Sequence, residues 1–271
     1  MLVLPFLAGS FILRRSRGGW RIIGIGAAGF ILSQVGHIPF NQFLLLPELE
    51  RGGIDQLAES GRSLLILGVA AGLSAGVFEE SARYLIFRFW LKEEKGPGVP
   101  WKYGVGHGGI EALLTGLLTL YALVQVLALG GEGALVGFSS EQAALIQSQL
   151  EAYWAVPWHQ ALLGAWERVS ALFFHLGASV FVYKSVREKR PHWAFLAILG
   201  HTAFNAFAVI FVREIDLVLL ELLLFVFASL WLVWAWYVRS QGWEEEALEL
   251  PPPQKLDFRT PHITSKQIEE S

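Results

Sequence analysis

Val77-Phe78-Glu79-Glu80-Ser81-Ala82-Arg83-Tyr84 sets three charged side chains inside a run, residues 63–91, that is otherwise almost wholly apolar. A bilayer's hydrocarbon core takes about 20 residues of helix at 1.5 Å each, so the run is long enough to cross it. An ionisable group near the bilayer centre costs about 2.5–3.5 kcal/mol on insertion scales, so three within one turn need a reason. On a helix, Glu79 and Arg83 are four positions apart and Glu80 and Arg83 three, so one guanidinium can reach either carboxylate. The stretch reads as a buried ion pair between helices or as a catalytic carboxylate held by its neighbours. The rest of the chain decides between them.

Apolar runs recur along the whole chain. The 271 residues are 54% hydrophobic, with mean hydropathy +0.45, which marks an integral membrane protein. The expected fold is all-α, a polytopic transmembrane bundle of about seven spans. A net charge of −3 says little about partners, and nothing in the sequence suggests nucleic acid. The absence of cysteine excludes disulfides, thiolate metal sites and cysteine nucleophiles. No basic segment precedes the first apolar run, so no cleavable signal is expected.

The apolar run at 1–13 is short and is closed by Arg14-Arg15-Ser16-Arg17. The next, 20–46, is interrupted by Ser33-Gln34 and His37-Ile38-Pro39, and a polar loop is expected from 47 to 62. Residues 63–91, 104–130, 158–184, 193–212 and 217–238 complete the spans, and 139–153 reads as an interfacial or extramembrane helix. The bundle thus occupies 1–240. The remainder, 241–271, has Pro251-Pro252-Pro253 and mixed charge and reads as a disordered tail.

Lys and Arg in short loops set the orientation. With alternating spans, Arg14, Arg15, Arg17, Arg21, Lys92, Lys95, Lys102, Lys184, Arg187, Lys189 and Arg190 share one side; Arg51, Arg62 and Arg213 lie on the other. This predicts a cytoplasmic tail, cytoplasmic loops at 92–102 and 185–192, and outward loops at 48–62 and 131–156.

Four spans carry polar pairs at helical spacing: Glu79 and Glu80 with Arg83, His107 with Glu111, His175 with Ser179, and His201 with Asn205. Any one histidine could be a hydrogen-bonded core residue. Together they point to one shared polar site, because each is costly in lipid. Glutamate and histidine suit the holding and deprotonation of a water or the binding of a divalent metal such as zinc. Asn205 can donate to a developing oxyanion, Arg83 can hold a carboxylate, and the glycines around His107 allow close backbone approach. Counted from their basic ends, Glu80, His175 and His201 lie ~14–17 Å deep, and His107 only ~8 Å. A polar cavity reached past residues 103–109 is expected.

These motifs resemble the superfamily of CAAX prenyl proteases and bacteriocin-processing (ABI/CPBP) intramembrane peptidases. The likeness rests on Glu79-Glu80-x-x-Arg83, Tyr103-x-x-x-His107 and His201-x-x-x-Asn205, with Arg83 one residue closer and tyrosine in place of phenylalanine. Within that superfamily, Glu79-Glu80-Ser81-Ala82-Arg83-Tyr84, Gly106-His107-Gly108-Gly109-Ile110-Glu111-Ala112, Glu167-Arg168 and Phe174-His175 resemble the YhfC family of intramembrane metalloproteases, as does Ser33-Gln34 with Ile38-Pro39. The resemblance implies a CAAX-protease-like core and a peptide or membrane-protein substrate met in the lipid bilayer, in this case the bacterial plasma membrane. It also implies that Glu79 or Glu80 with His107 activates water, and that His201 and Asn205 stabilise the oxyanion. A metal, where one is used, would fall to Glu79, His107 and His201; a glutamate-activated water alone is the other option. Glu167 and Arg168 are expected to be a structural pair. Two other classes fit buried Glu, His and Arg: a proton- or ion-coupled transporter or channel, and a non-catalytic scaffold that retains the network.

Overall fold

Apolar segments in lipid must satisfy their backbone groups internally, and this chain does so with helices. A computed structural model describes residues 1–13, 19–54, 61–131 and 133–240. The expected tail at 241–271 and the Arg14–Arg17 cluster lie outside them. In order, the elements are α1 (Leu4–Leu13), α2 (Trp20–Phe40), α3 (Leu46–Arg51), α4 (Gly61–Leu85), α5 (Val99–Leu129), α6 (Ser140–Ala155), α7 (Trp158–Glu188), α8 (His192–Phe211) and α9 (Leu217–Ser240).

Six of the helical stretches are long and apolar enough to cross a membrane, among the described residues. The seventh expected span is α1, a ten-residue helix that lies along α5: a Cβ on Gly109 would come within 3.2 Å of Pro5, and one on Gly116 within 2.9 Å of Leu2. Two boundaries move. A π-helical turn, Asn41–Leu45, carries α2 into α3, so the expected loop at 47 begins as helix. Helix α5 opens at Val99 with Pro100 in its first turn, where a missing N–H costs nothing. His107 is therefore eight residues inside its helix, ~12 Å deep, which removes most of its apparent shallowness.

Lipid offers helices no hydrophobic reason to associate, so small residues and close packing must hold them. Gly68, Gly72 and Gly76 of α4 face α8 one turn apart; Cβ atoms on the last two would lie 2.6 Å from the Thr202 carbonyl oxygen and 2.8 Å from that of Ile198. On α5, a Cβ at Gly106 would fall 1.9 Å from the Ile23 carbonyl oxygen of α2. The glycines expected to allow close approach do so here in unbroken helix. Helix α7 is the most enclosed, its aromatic residues Phe174 and Phe181 packing on Phe204 and Trp231. The helix expected over 139–153 is α6, opened by a Ser139/Gln142 capping box.

Contacts at one end of the bundle agree with alternating helices. Arg21 Nη1 meets Glu94 Oε1 at 2.6 Å, Tyr183 Oη donates to the Glu94 carbonyl at 3.1 Å, and Lys184 Nζ to the Val238 carbonyl at 3.1 Å. The start of α2, the segment after α4, and the ends of α7 and α9 thus meet.

Candidate active site

Adjacent residues on a helix point about 100° apart, so Glu79 and Glu80 address different neighbours. Glu79 faces α5 and α2: its Oε2 lies 3.0 Å from His107 Nε2, and its Oε1 accepts from Gln34 Nε2 at 3.1 Å. Glu80 faces α8, with Oε1 2.8 Å from His201 Nδ1, and its Oε2 takes Arg83 Nη1 one turn along α4. Both carboxylates, Arg83, His107 and His201 are buried. The arginine therefore pairs with the second glutamate and leaves the first to the histidines.

Hydrogen-bond directions fix two tautomers. Arginine only donates, so the Arg83 Nη2 contact at 3.2 Å makes His175 Nδ1 an acceptor. Its proton then sits on Nε2, which donates to Glu111 Oε2 at 2.7 Å. A carboxylate cannot donate either, so His201 carries its proton on Nδ1, toward Glu80, and holds Nε2 3.9 Å from Glu79 Oε2.

The structure brings together Glu79, Glu80, Arg83, His107, Glu111, His175 and His201. Several partners differ from those that helical spacing suggests. His107 bonds across to Glu79 rather than to Glu111, and Glu111 crosses to His175. Ser179 donates to the backbone carbonyl of His175, a bond within one helix that takes no part in the site. Asn205, half-buried one turn beyond His201, makes no hydrogen bond in the cluster among the described residues. Arg168 is more than a partner for Glu167: its Nη1 reaches Glu111 Oε1 at 2.8 Å, so it braces the carboxylate that holds His175. Gln34, on the other hand, joins the site without having been singled out for it. Its signal was a polar side chain repeating at Gln34, His37 and Asn41 along one helix face.

Glu79, His107 and His175 each offer a ligand atom within 4.8 Å of the others, all three buried. One carboxylate and two imidazoles are a donor set that catalytic zinc sites use. His107 Nδ1 is buried with no hydrogen-bond partner, and His175 gives its Nε2–H to Glu111, the outer carboxylate that histidine ligands commonly have, so that its Nδ1 lone pair, which accepts from Arg83, is the one a cation would take over. The residues fit a divalent metal. They share Glu79 and His107 with the expected set, with His175 in the gathered group and His201 beside it.

The expected approach past residues 103–109 is closed. Tyr103 and all six residues after it are buried against α1, α2 and α7, because the glycines there serve helix contact rather than a cavity. Polar groups come nearer the surface at Glu111, whose side chain is 22% exposed, and at half-buried His37 and Asn41.

A family model described as YhfC intramembrane metalloprotease matches residues 1–235. The chain is 33% identical over 207 residues to a protein of Bacillus subtilis (strain 168) described as "Uncharacterized membrane protein YhfC", covering 71% of this chain and 79% of that one. No solved structure matches the chain.

Proposed function

The chain belongs to the YhfC family of intramembrane metalloproteases, and on that premise we propose that it is an endopeptidase that cuts a peptide bond of a peptide or membrane protein at about mid-membrane depth. The observation that carries this reading is the Glu79–His107 contact of 3.0 Å, with His175 close enough to complete a three-ligand group. A CAAX-protease-like core and a place in the bacterial plasma membrane, tail inward, are part of the same proposal.

Glu79, His107 and His175 would hold a divalent cation such as zinc, which when bound lowers the cost of deprotonating water and polarises a carbonyl. Glu79 takes the proton of the attacking water as its oxygen adds to the carbonyl carbon. Gln34 and His107 hold that carboxylate in place. His201, anchored through Nδ1 on Glu80, keeps the lone pair of Nε2 directed toward the same centre, where it accepts a hydrogen bond from the water, and Glu79 hands the proton it took to the leaving amine as the C–N bond breaks. Arg83 neutralises Glu80, and Glu111 orients His175 through its Nε2–H. Asn205 supplies an amide donor for the oxyanion.

The test uses the full chain in lipid nanodiscs, a library of membrane-spanning peptides, and mass spectrometry of the products. New termini should arise with the wild type and fall by orders of magnitude for Glu79→Gln and His107→Ala. Cleavage that survives in Glu79→Gln/Glu80→Gln would reject the proposal.

A further inference from the structure

Beyond Glu79, a line of hydrogen bonds runs along α2 away from the histidines. Gln34 Oε1 lies 3.1 Å from His37 Nδ1, His37 Nε2 lies 2.9 Å from Asn41 Nδ2, and Asn41 Oδ1 accepts from Ser74 Oγ at 2.6 Å. Residues 34, 37 and 41 lie on one face of α2 and its π-helical continuation, and both ends of the line are tied to α4, at Glu79 and at Ser74. Gly36 lets α2 and α4 close on each other there, for a Cβ on it would come within 2.8 Å of the Phe78 ring.

The chemistry of each group gives the line a direction. An amide nitrogen only donates and an amide oxygen only accepts. Gln34 Nε2 gives one hydrogen to Glu79 and has Ser33 Oγ at 3.3 Å for the other. Its Oε1 must then receive a proton from His37 Nδ1, which leaves Nε2 free to accept from Asn41. Ser74 donates to Asn41 in the same sense. If the Gln34 amide were turned over, its oxygen would face the Glu79 carboxylate and Ser33, whose own hydroxyl already donates to the Phe30 carbonyl at 2.6 Å.

We propose that Gln34, His37 and Asn41 are a positioning relay for Glu79, in which every donor points toward the carboxylate and thereby fixes which oxygen faces the histidines. It rests on the reading of Glu79 as the working carboxylate of the site. Aligned hydrogen bonds polarise one another, so the relay makes Glu79 Oε1 a committed acceptor and leaves Oε2 for His107 and the cation. His37 belongs to it as a neutral ring protonated on Nδ1.

The experiment uses the full chain in lipid nanodiscs, 15N-labelled at its seven histidines, with the His37 signals assigned by their loss in His37→Gln. In the wild type His37 should be the Nδ1–H tautomer. Asn41→Asp places an acceptor where a donor stood, so the proton should move to Nε2 and the Gln34 amide should turn over. Cobalt(II), added as the probe and read by its visible spectrum, should then bind about 10–100-fold more weakly. His37→Leu should show the same loss, and His37→Asn, which can still donate from the δ position, should recover it. An Nε2–H or doubly protonated His37 in the wild type overturns the relay. So does a reversed tautomer with unchanged cobalt affinity. A wild-type protein that takes up no cobalt counts against the metal in the proposed function, and the tautomer readout then decides the relay alone.

Discussion

Glu79 Oε2 and His107 Nε2, 28 positions apart in the chain, lie 3.0 Å from each other in the interior of the bundle. Neither helix could bring this about alone. It requires α4 and α5 to present these residues at matching depth, and α5 to begin at Val99 rather than at the first glycine. The other contacts of the site hang on this pair, because Glu79, among the described residues, is the carboxylate with an oxygen within 3.0 Å of His107 and 3.9 Å of His201.

Glu111 and Arg168 should matter to the chemistry although neither is in the gathered ligand group. Glu111→Gln leaves the shape intact but weakens the acceptor for His175 Nε2–H. Outer-shell changes of this kind cost about 10–100-fold in metal affinity or activity. Arg168→Met should show a loss of the same sort, while Glu167→Gln should stay close to wild type. Equilibrium metal competition on the three variants checks the ranking; equal losses for Glu167 and Arg168 would mean that the pair is merely structural.

Arg83 is wholly buried against Glu80, so removal of its charge leaves a carboxylate unpaired in the interior. Arg83→Met should destabilise the bundle by about 3–5 kcal/mol. The double variant Arg83→Met/Glu80→Gln should recover part of that, because no charge is stranded. Reversible unfolding in mixed micelles gives both numbers. A double variant no more stable than Arg83→Met would argue against the pairing as the source of the loss.

Gly72 should be intolerant and Gly24 indifferent. A side chain at Gly72 meets the Thr202 carbonyl oxygen at 2.6 Å, beside His201 on α8. Gly72→Val should cost about 1–3 kcal/mol by overpacking and displace His201 as well. A Cβ at Gly24 meets nothing within 4 Å, so Gly24→Ala should be neutral or stabilise by about 0.5–1 kcal/mol. Thermal unfolding of the two proteins side by side tests the contrast.

Orientation is testable without background, since the chain has no cysteine to remove. Lys95→Cys should resist an impermeant thiol reagent added to intact cells, and Phe138→Cys should react. The reverse pattern would invert the bundle and send the His37 edge to the cytoplasm.

The membrane class, the helical fold and most members of the site were legible in the residues alone. Long apolar runs and buried charges are statements about solvent, and solvent cost is local: Glu79, Glu80, Arg83, His107, His175 and His201 are conspicuous wherever the chain goes. Pairing was not legible. Helical spacing puts Glu111 beside His107 and Ser179 beside His175, yet both histidines turn outward to other helices, where a carboxylate or guanidinium lies closer than any neighbour on their own. It took the packed bundle to show that Arg83 serves Glu80, that Arg168 braces Glu111, and that Gln34 completes the surroundings of Glu79. The reason is physical. Glycines on α2, α4 and α5 set how near the backbones come, and that distance, not the order of residues, selects which polar groups meet.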